Sequence, residues 1–305
     1  MVTGWRGLTT AGLVLALVGA CTSTPAGDPA AAGWTPVWSD DFDGAANSRL
    51  GTTDWSYALG TSYPGGAPQW GTGQIETATD SVRNVYLDGA GHLAIKPIRT
   101  GAGAGTWTSG RVETKRTDFA APTGGKLRIE ATVQQPAVGG AAAAGYWTAF
   151  WALGAPARPV GATNWPKIGE WDVMENVNGR ESVWHTLHCG VAVGGPCAEP
   201  GGISSGELPC PGCRQGFHTY ALEYDRSRTP EELRWYVDGR STFTVKADRV
   251  DATTWADANQ HGFFLILNVA IGGVFPANLG ATPSPATTSG VPMLVDRVAV
   301  FSSEG

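Results

Sequence analysis

Helical periodicity is nearly absent from this chain; only Asp248 to Ala258 could hold one short turn or helix. Charge is scarce as well. Charged residues make up 16% of the sequence, and 21 Lys and Arg face 27 Asp and Glu, a formal net charge of -6 at pH 7. That balance argues against nucleic acid or an anionic membrane as the main partner, because both attract basic patches. No internal repeat and no linker-like shift in composition divides residues 34–304, which read as one domain. The 305 residues would suit two average domains, yet an all-β sandwich often reaches this size as one unit. What is abundant is Gly (43), Pro (20) and Trp (13), within a hydrophobic content of 42%. Many turns, few charges and ample core material fit β structure better than a helix bundle.

The apolar run from Leu8 to Ala20 is too short for a comfortable membrane span. With Arg6 ahead of it, residues 1–21 read as an export signal. The run ends in Val18-Gly19-Ala20-Cys21, which resembles a bacterial lipobox, where the Cys is lipidated and becomes the mature N-terminus. Ordinary cleavage after a small residue is the alternative, with Cys21 lost or incidental. Residues 22–33, TSTPAGDPAAAG, then read as a flexible tether. On this reading the protein is extracytoplasmic, a cell-surface lipoprotein or secreted, and touches a membrane only through an N-terminal lipid anchor.

Setting Cys21 aside leaves Cys189, Cys197, Cys210 and Cys213. An even number in an oxidising compartment suggests two disulfides. Local pairing, Cys189–Cys197 and Cys210–Cys213, is preferred among three connectivities. The competing reading is a four-Cys zinc site using CPGC, which the presence of only one CxxC disfavours.

Strand signals recur along the domain. In GKLRIEATVQQ, Leu127, Ile129, Ala131 and Val133 alternate with Lys126, Arg128, Glu130 and Thr132, the period of a half-buried strand. LRWYVDGRSTFTV centres on Asp238-Gly239 and reads as a hairpin, as does NVYLDGAGHLAIKPI. GFFLILNVAIGG and PMLVDRVAVF read as buried strands. Two packed antiparallel sheets are the natural solution.

GEWDVMENVNG, from Gly169 to Gly179, holds Glu170, Asp172 and Glu175 with no cation between them. On a strand Glu170 and Asp172 share a face, and strict alternation would turn Glu175 inward with Trp171. A buried unpaired carboxylate is costly. A β-bulge at Val173-Met174 resets the alternation and returns Glu175 to its companions. A glycosidase needs two carboxyl groups in different protonation states beside one bond, about 5–5.5 Å apart in a retaining enzyme. Asp172 between them would hold the nucleophile and help keep the acid protonated. A solvated acidic sheet face is the alternative. An EF-hand reading of DVMENVNG fails, because Met174 stands where an oxygen ligand is required.

These residues resemble glycoside hydrolase family 16, especially bacterial endo-1,3-β-glucanases (laminarinases). The family signature Glu-x-Asp-x-x-Glu is matched by Glu170 to Glu175, and VWSDDFDG, WTSGRVETK, GYWTAFWALG, HTLHCG, FHTYALEYD, LRWYVDG, LNVAIGG and MLVDRVAVF follow in the family's order. The resemblance implies a concanavalin-type β-jelly-roll sandwich with a concave substrate cleft, and cleavage of internal β-1,3-glucosidic bonds with retention. It makes Glu170 the nucleophile, Glu175 the acid and then base, and Asp172 the residue that orients Glu170. Trp147 and Trp151, four apart on one strand face, would meet the sugar, with Trp147 stacked near the cleavage point. Asn84 and Arg111 match positions that hydrogen-bond sugar hydroxyls. His188 matches a cleft His on the leaving-group side. Phe275 stands where a Trp often precedes the Pro, which bears on the subsites. Trp171 replaces an aliphatic residue, and His185 a Gly.

Catalysis would need no cofactor. The family often holds a structural Ca2+, here through Asp296 with the Gly91 carbonyl and Asp41. The partner would be a β-glucan, met by a monomer. A non-catalytic glucan-binding module on the same fold is the alternative, as is an enzyme acting on mixed-linkage glucan or galactan.

Overall fold

The computed structural model describes residues 1–2, 4 and 33–304; the lipobox residue Cys21 and nearly all of the signal and tether segments lie outside them. Two eight-stranded sheets face one another. The front sheet runs Ile203–Ser204, Ser182–His188, Glu170–Val177, Tyr146–Gly154, Phe263–Ile271, Arg111–Thr114, Trp55–Tyr57, with Leu208–Pro209 also paired to Ser182–His188. The back sheet runs Arg240–Lys246, Glu232–Val237, His218–Asp225, Lys126–Gln134, Met293–Ser303, Leu93–Ile95, Val85–Leu87, with Thr35–Asp40 also paired to Met293–Ser303. All of these pairings are antiparallel. This is the β-jelly-roll sandwich expected.

The alternation read in Lys126–Gln134 is present: Leu127, Ile129, Ala131 and Val133 are buried in the core between the sheets. Arg128 is buried too, because it pairs with Glu130 at 2.7 Å and Glu223 at 2.9 Å. Both hairpins form. Asp238 (φ 49°) and Gly239 (φ 75°) give the two left-handed residues that a tight hairpin turn requires. The short helix in the region from Asp248 to Ala258 spans Ala252–Asn259, and the Asp251 side chain caps it by accepting from the Thr254 N–H at 2.9 Å.

That helix fixes where the carboxylate strand begins. Gly169, one residue before Glu170, has φ +71°, and a Cβ there would lie 1.8 Å from the Ala258 carbonyl oxygen. Only glycine permits both the conformation and the approach. Trp171 then points into the core. Its ring stacks on Phe263 at 3.6 Å and meets Tyr224 of the back sheet edge-on, and its N–H donates to Asn259 Oδ1 on the helix at 2.8 Å. The aromatic residue that replaces an aliphatic one is therefore a clamp between strand, helix and far sheet.

Both expected disulfides are formed, Cys189–Cys197 and Cys210–Cys213. His218 lies close to the second pair, but its sulfurs are bonded to each other and cannot ligate zinc as thiolates.

Candidate active site

The strand Glu170–Val177 is bulged where the spacing of its acids requires. Against Tyr146–Gly154, Phe150 pairs with Met174 and Trp151 with Asp172, leaving Val173 as the extra residue. Against Ser182–His188 the register slips between Asp172 and Glu175. Val173 and Met174 both enter the core, while Glu170, Asp172 and Glu175 all line one cleft of about 600 Å³. A bulge interrupts the ladder, and its buried carbonyls need other donors. Trp235 of the back sheet donates to the Asp172 carbonyl at 2.8 Å, and His185 Nδ1–H donates to the Val173 carbonyl at 2.8 Å. His185 Nε2 in turn accepts from the Thr242 hydroxyl at 3.0 Å. Burial pushes this imidazole down to about 4, so it is neutral. His185 thus lies behind the sheet and pins the bulge.

The three acids sit in different electrostatic surroundings. Burial and the adjacent Asp172 push Glu170 up to about 8, and the cations His188 and Arg111 oppose that rise. Burial and Asp172 also hold Glu175 well above the ordinary carboxylate range, against the pull of a hydrogen bond from Trp147 Nε1 at 2.8 Å. Glu175 therefore has an indole donor on Oε1, while Glu170 has a cation within 3.9 Å, His188 Nε2. His188 Nε2 also lies 3.2 Å from Asp172 Oδ2, and Nδ1 lies 2.7 Å from Glu199 Oε2. Burial alone would discharge this ring, but hydrogen bonds to Asp172 and Glu199 outweigh it and raise its affinity for the proton well above the ordinary value. Both ring nitrogens are engaged by carboxylates. His188 is therefore a brace within the acid cluster, and the expectation that it contacts the sugar is corrected.

Trp147 and Trp151 share the cleft wall, as their spacing on Tyr146–Gly154 implies. The N–H of each is tied down, Trp147 to Glu175 and Trp151 to Asn268 Oδ1 at 2.8 Å, which fixes the planes of the rings. Phe275 meets Trp147 edge-on at 5.7 Å and is not among the cleft-lining residues; it props the ring instead of touching a ligand directly. Arg111 does line the cleft, yet it is enclosed. Its guanidinium faces the rings of Trp70, Trp151 and Tyr63 at 4.3, 4.8 and 5.1 Å, bonds the Tyr63 hydroxyl at 2.7 Å and pairs with Glu113 at 3.2 Å. Asn84 does not join this site. Its amide donates to the Lys96 carbonyl and accepts from the Thr79 hydroxyl, both at 2.8 Å, so it is a turn residue whose groups are already satisfied.

Sequence reasoning missed Tyr63, Trp70 and Trp165, which complete the aromatic lining, and Glu199 behind His188. Trp70 follows Gln69 in a turn where both are left-handed (φ 53° and 50°), a conformation that nothing in their side chains announces.

Asp296, Asp41 and the Gly91 carbonyl are the calcium ligands expected from sequence. Asp41 pairs with Arg297 at 3.3 Å, whereas Asp296 faces His92 at 3.8 Å. Among the described residues, neither carboxylate belongs to a cluster of three metal-ligating side chains.

The comparisons with known proteins agree on a class. No family model matches the chain. The solved endo-1,3-β-glucanase from Streptomyces sioyaensis is 54% identical, superposes with a TM-score of 0.87 and is covered over 100% of its length by 93% of this chain. The β-glucanase of Rhodothermus marinus is 29% identical over 276 residues, 88% of this chain and 85% of the relative. Glucan endo-1,3-β-glucosidase A1 of Niallia circulans is 30% identical over 91% of this chain, which spans only 39% of that relative.

Proposed function

The chain belongs to the laminarinase group of glycoside hydrolase family 16, and from that premise we propose that it cleaves internal β-1,3-glucosidic bonds of β-glucans by double displacement with retention. The observation that carries this reading is the bulge, which turns Glu170, Asp172 and Glu175 into one cleft beside Trp147 and Trp151.

Both glutamates hold a proton above the ordinary carboxylate range, Glu170 up to about 8, and the groups that oppose this rise distinguish their proposed roles. His188 and Arg111 favour the ionised form of Glu170, which is the form that attacks an anomeric carbon. Glu175 is buried beside Asp172 and keeps its proton, and with Trp147 on Oε1 the other oxygen is free to carry that proton to the leaving-group oxygen. Once Glu170 is esterified, its charge is gone and Glu175 can take a proton from the incoming water. Asp172 sits between them on His188, raising the proton affinity of both neighbours. The indole faces suit the apolar C–H face of a pyranose. Two buried disulfides fit an oxidising compartment and so an extracytoplasmic location.

The test is a panel of defined β-glucans and galactans with the products sized and the anomer followed by NMR. Oligosaccharides released from laminarin, β first, with none released by Glu170→Gln, are the expected result. Binding without hydrolysis would replace the reading with a glucan-binding module, and preferential cleavage of galactan or mixed-linkage glucan would change the substrate. Inverted product would overturn double displacement.

A further inference from the structure

The reaction as derived uses three acids and leaves a fourth behind them. Glu199 follows the strand Ser182–His188, and its side chain is wholly buried. Oε2 meets His188 Nδ1 at 2.7 Å and Oε1 accepts the Cys189 backbone N–H at 2.8 Å. Eleven residues of sequence separate Glu199 from His188, and the chain brings them together by turning back. The Cys189–Cys197 disulfide closes most of that stretch into a loop, and Gly194 within the loop exchanges two backbone hydrogen bonds of 2.7 Å with Glu199 just beyond it.

An ionised carboxylate can only accept. The hydrogen of His188 Nδ1 is therefore committed to Glu199, and Nε2 is the edge turned toward Asp172 at 3.2 Å and Glu170 at 3.9 Å. Asp172 and Glu170 face the ring from the neighbouring strand, Glu199 from the loop, and Trp165 covers it at 5.4 Å; Arg111 and Glu175 act from farther along the cleft. Three acids around one buried ring are tolerable only if the ring carries charge. Without an anion on Nδ1 the ring could turn, or lose its proton.

We propose that Glu199 is a positioning residue for the glycosidase reaction: held by the disulfide-closed loop, it fixes His188 as a cation that braces Asp172 and keeps Glu170 ready to attack. This rests on the hydrolase reading, and its test has a readout that does not.

Glu199→Gln keeps an acceptor for His188 and removes the charge. In the folded variant, kcat on laminarin falls about tenfold or more while KM changes by less than about twofold, as for loss of a group that orients a catalytic partner. The acid limb of kcat/KM moves to higher pH, because Glu170 loses part of its cationic support. Glu199→Asp restores the charge and recovers part of the rate. Independently of activity, the His188 ring, followed by NMR, loses its proton at lower pH in Glu199→Gln than in the unmodified protein. If the unmodified protein hydrolyses nothing but the ring titration shifts, the hydrolase reading fails and the Glu199–His188 coupling stands. An unchanged ring titration overturns the proposal, as does an unchanged kcat and pH profile in an active enzyme. Should Glu199→Gln not fold, Cys189→Ser/Cys197→Ser takes its place, with the same shift and rate loss expected and unchanged values overturning it.

Discussion

Trp235 and Asp172 belong to opposite sheets, and the indole N–H of the first donates to the backbone carbonyl of the second across 2.8 Å of buried space. The bulge that gathers the acids is thus held from the far side of the core. Trp235→Phe keeps most of the ring and removes the donor. It should cost about 1–3 kcal/mol of stability, the usual consequence of stranding a buried acceptor, and lower kcat as Asp172 drifts. Urea denaturation with parallel kinetics measures both; full stability and full activity would mean that the bulge holds itself.

The two glutamates should separate by leaving group. Glu175→Gln removes proton donation and should slow laminarin cleavage on the order of 10²–10⁴-fold. An aryl β-glucoside oligomer with a good leaving group needs no proton, so its first step should survive. Glu170→Gln should abolish turnover of both. Equal sensitivity of both variants to the leaving group would contradict the assigned roles.

On the proposed mechanism Trp147 would couple sugar contact to proton transfer. Its N–H pulls down the proton affinity of Glu175. Trp147→Phe removes that hydrogen bond, so Glu175 should hold its proton to higher pH and the basic limb of kcat/KM should move upward. Trp147→Ala also removes the stacking face and should raise KM. A basic limb that stays put in Trp147→Phe would show that the indole does not govern the acid.

Two buried groups should make stability depend on pH with opposite signs, over windows that overlap. Burial pushes Glu76 up to about 8 from an ordinary 4.5 although it accepts the Ile271 N–H. Between those values the folded chain keeps a proton that the unfolded chain releases, so this group lowers stability as pH rises through the window. Neutral His185 acts with the opposite sign. Between an ordinary 6.5 and about 4 the unfolded chain takes a proton that the folded one refuses, so stability falls as pH drops. Glu76→Gln should raise Tm at about pH 8 relative to about pH 5. A Tm difference independent of pH would rule out its titration as the cause.

Much of the fold was legible because β structure writes a short period into sequence. Leu127, Ile129, Ala131 and Val133 named one core face, Asp238-Gly239 named a hairpin, and the longer second gap in Glu170-x-Asp172-x-x-Glu175 named a bulge. Each is a local rule about neighbours two or three residues apart. Asn84, His188 and Phe275 were placed on the sugar by resemblance, and their actual partners are Lys96 and Thr79, Glu199 and Asp172, and Trp147. No local rule shows whether a polar group is already satisfied by residues far along the chain.

The sequence by itself determined that three acids must share one strand face, because side chains alternate and one inserted residue shifts the alternation. What only the tertiary structure decided is how those acids differ. Glu170 has His188 and Arg111 near it, Glu175 has Trp147, and Glu199 arrives through a closed loop. Proton affinity depends on burial and on charges a few ångströms away through space, and chain order fixes neither until the sheets have packed.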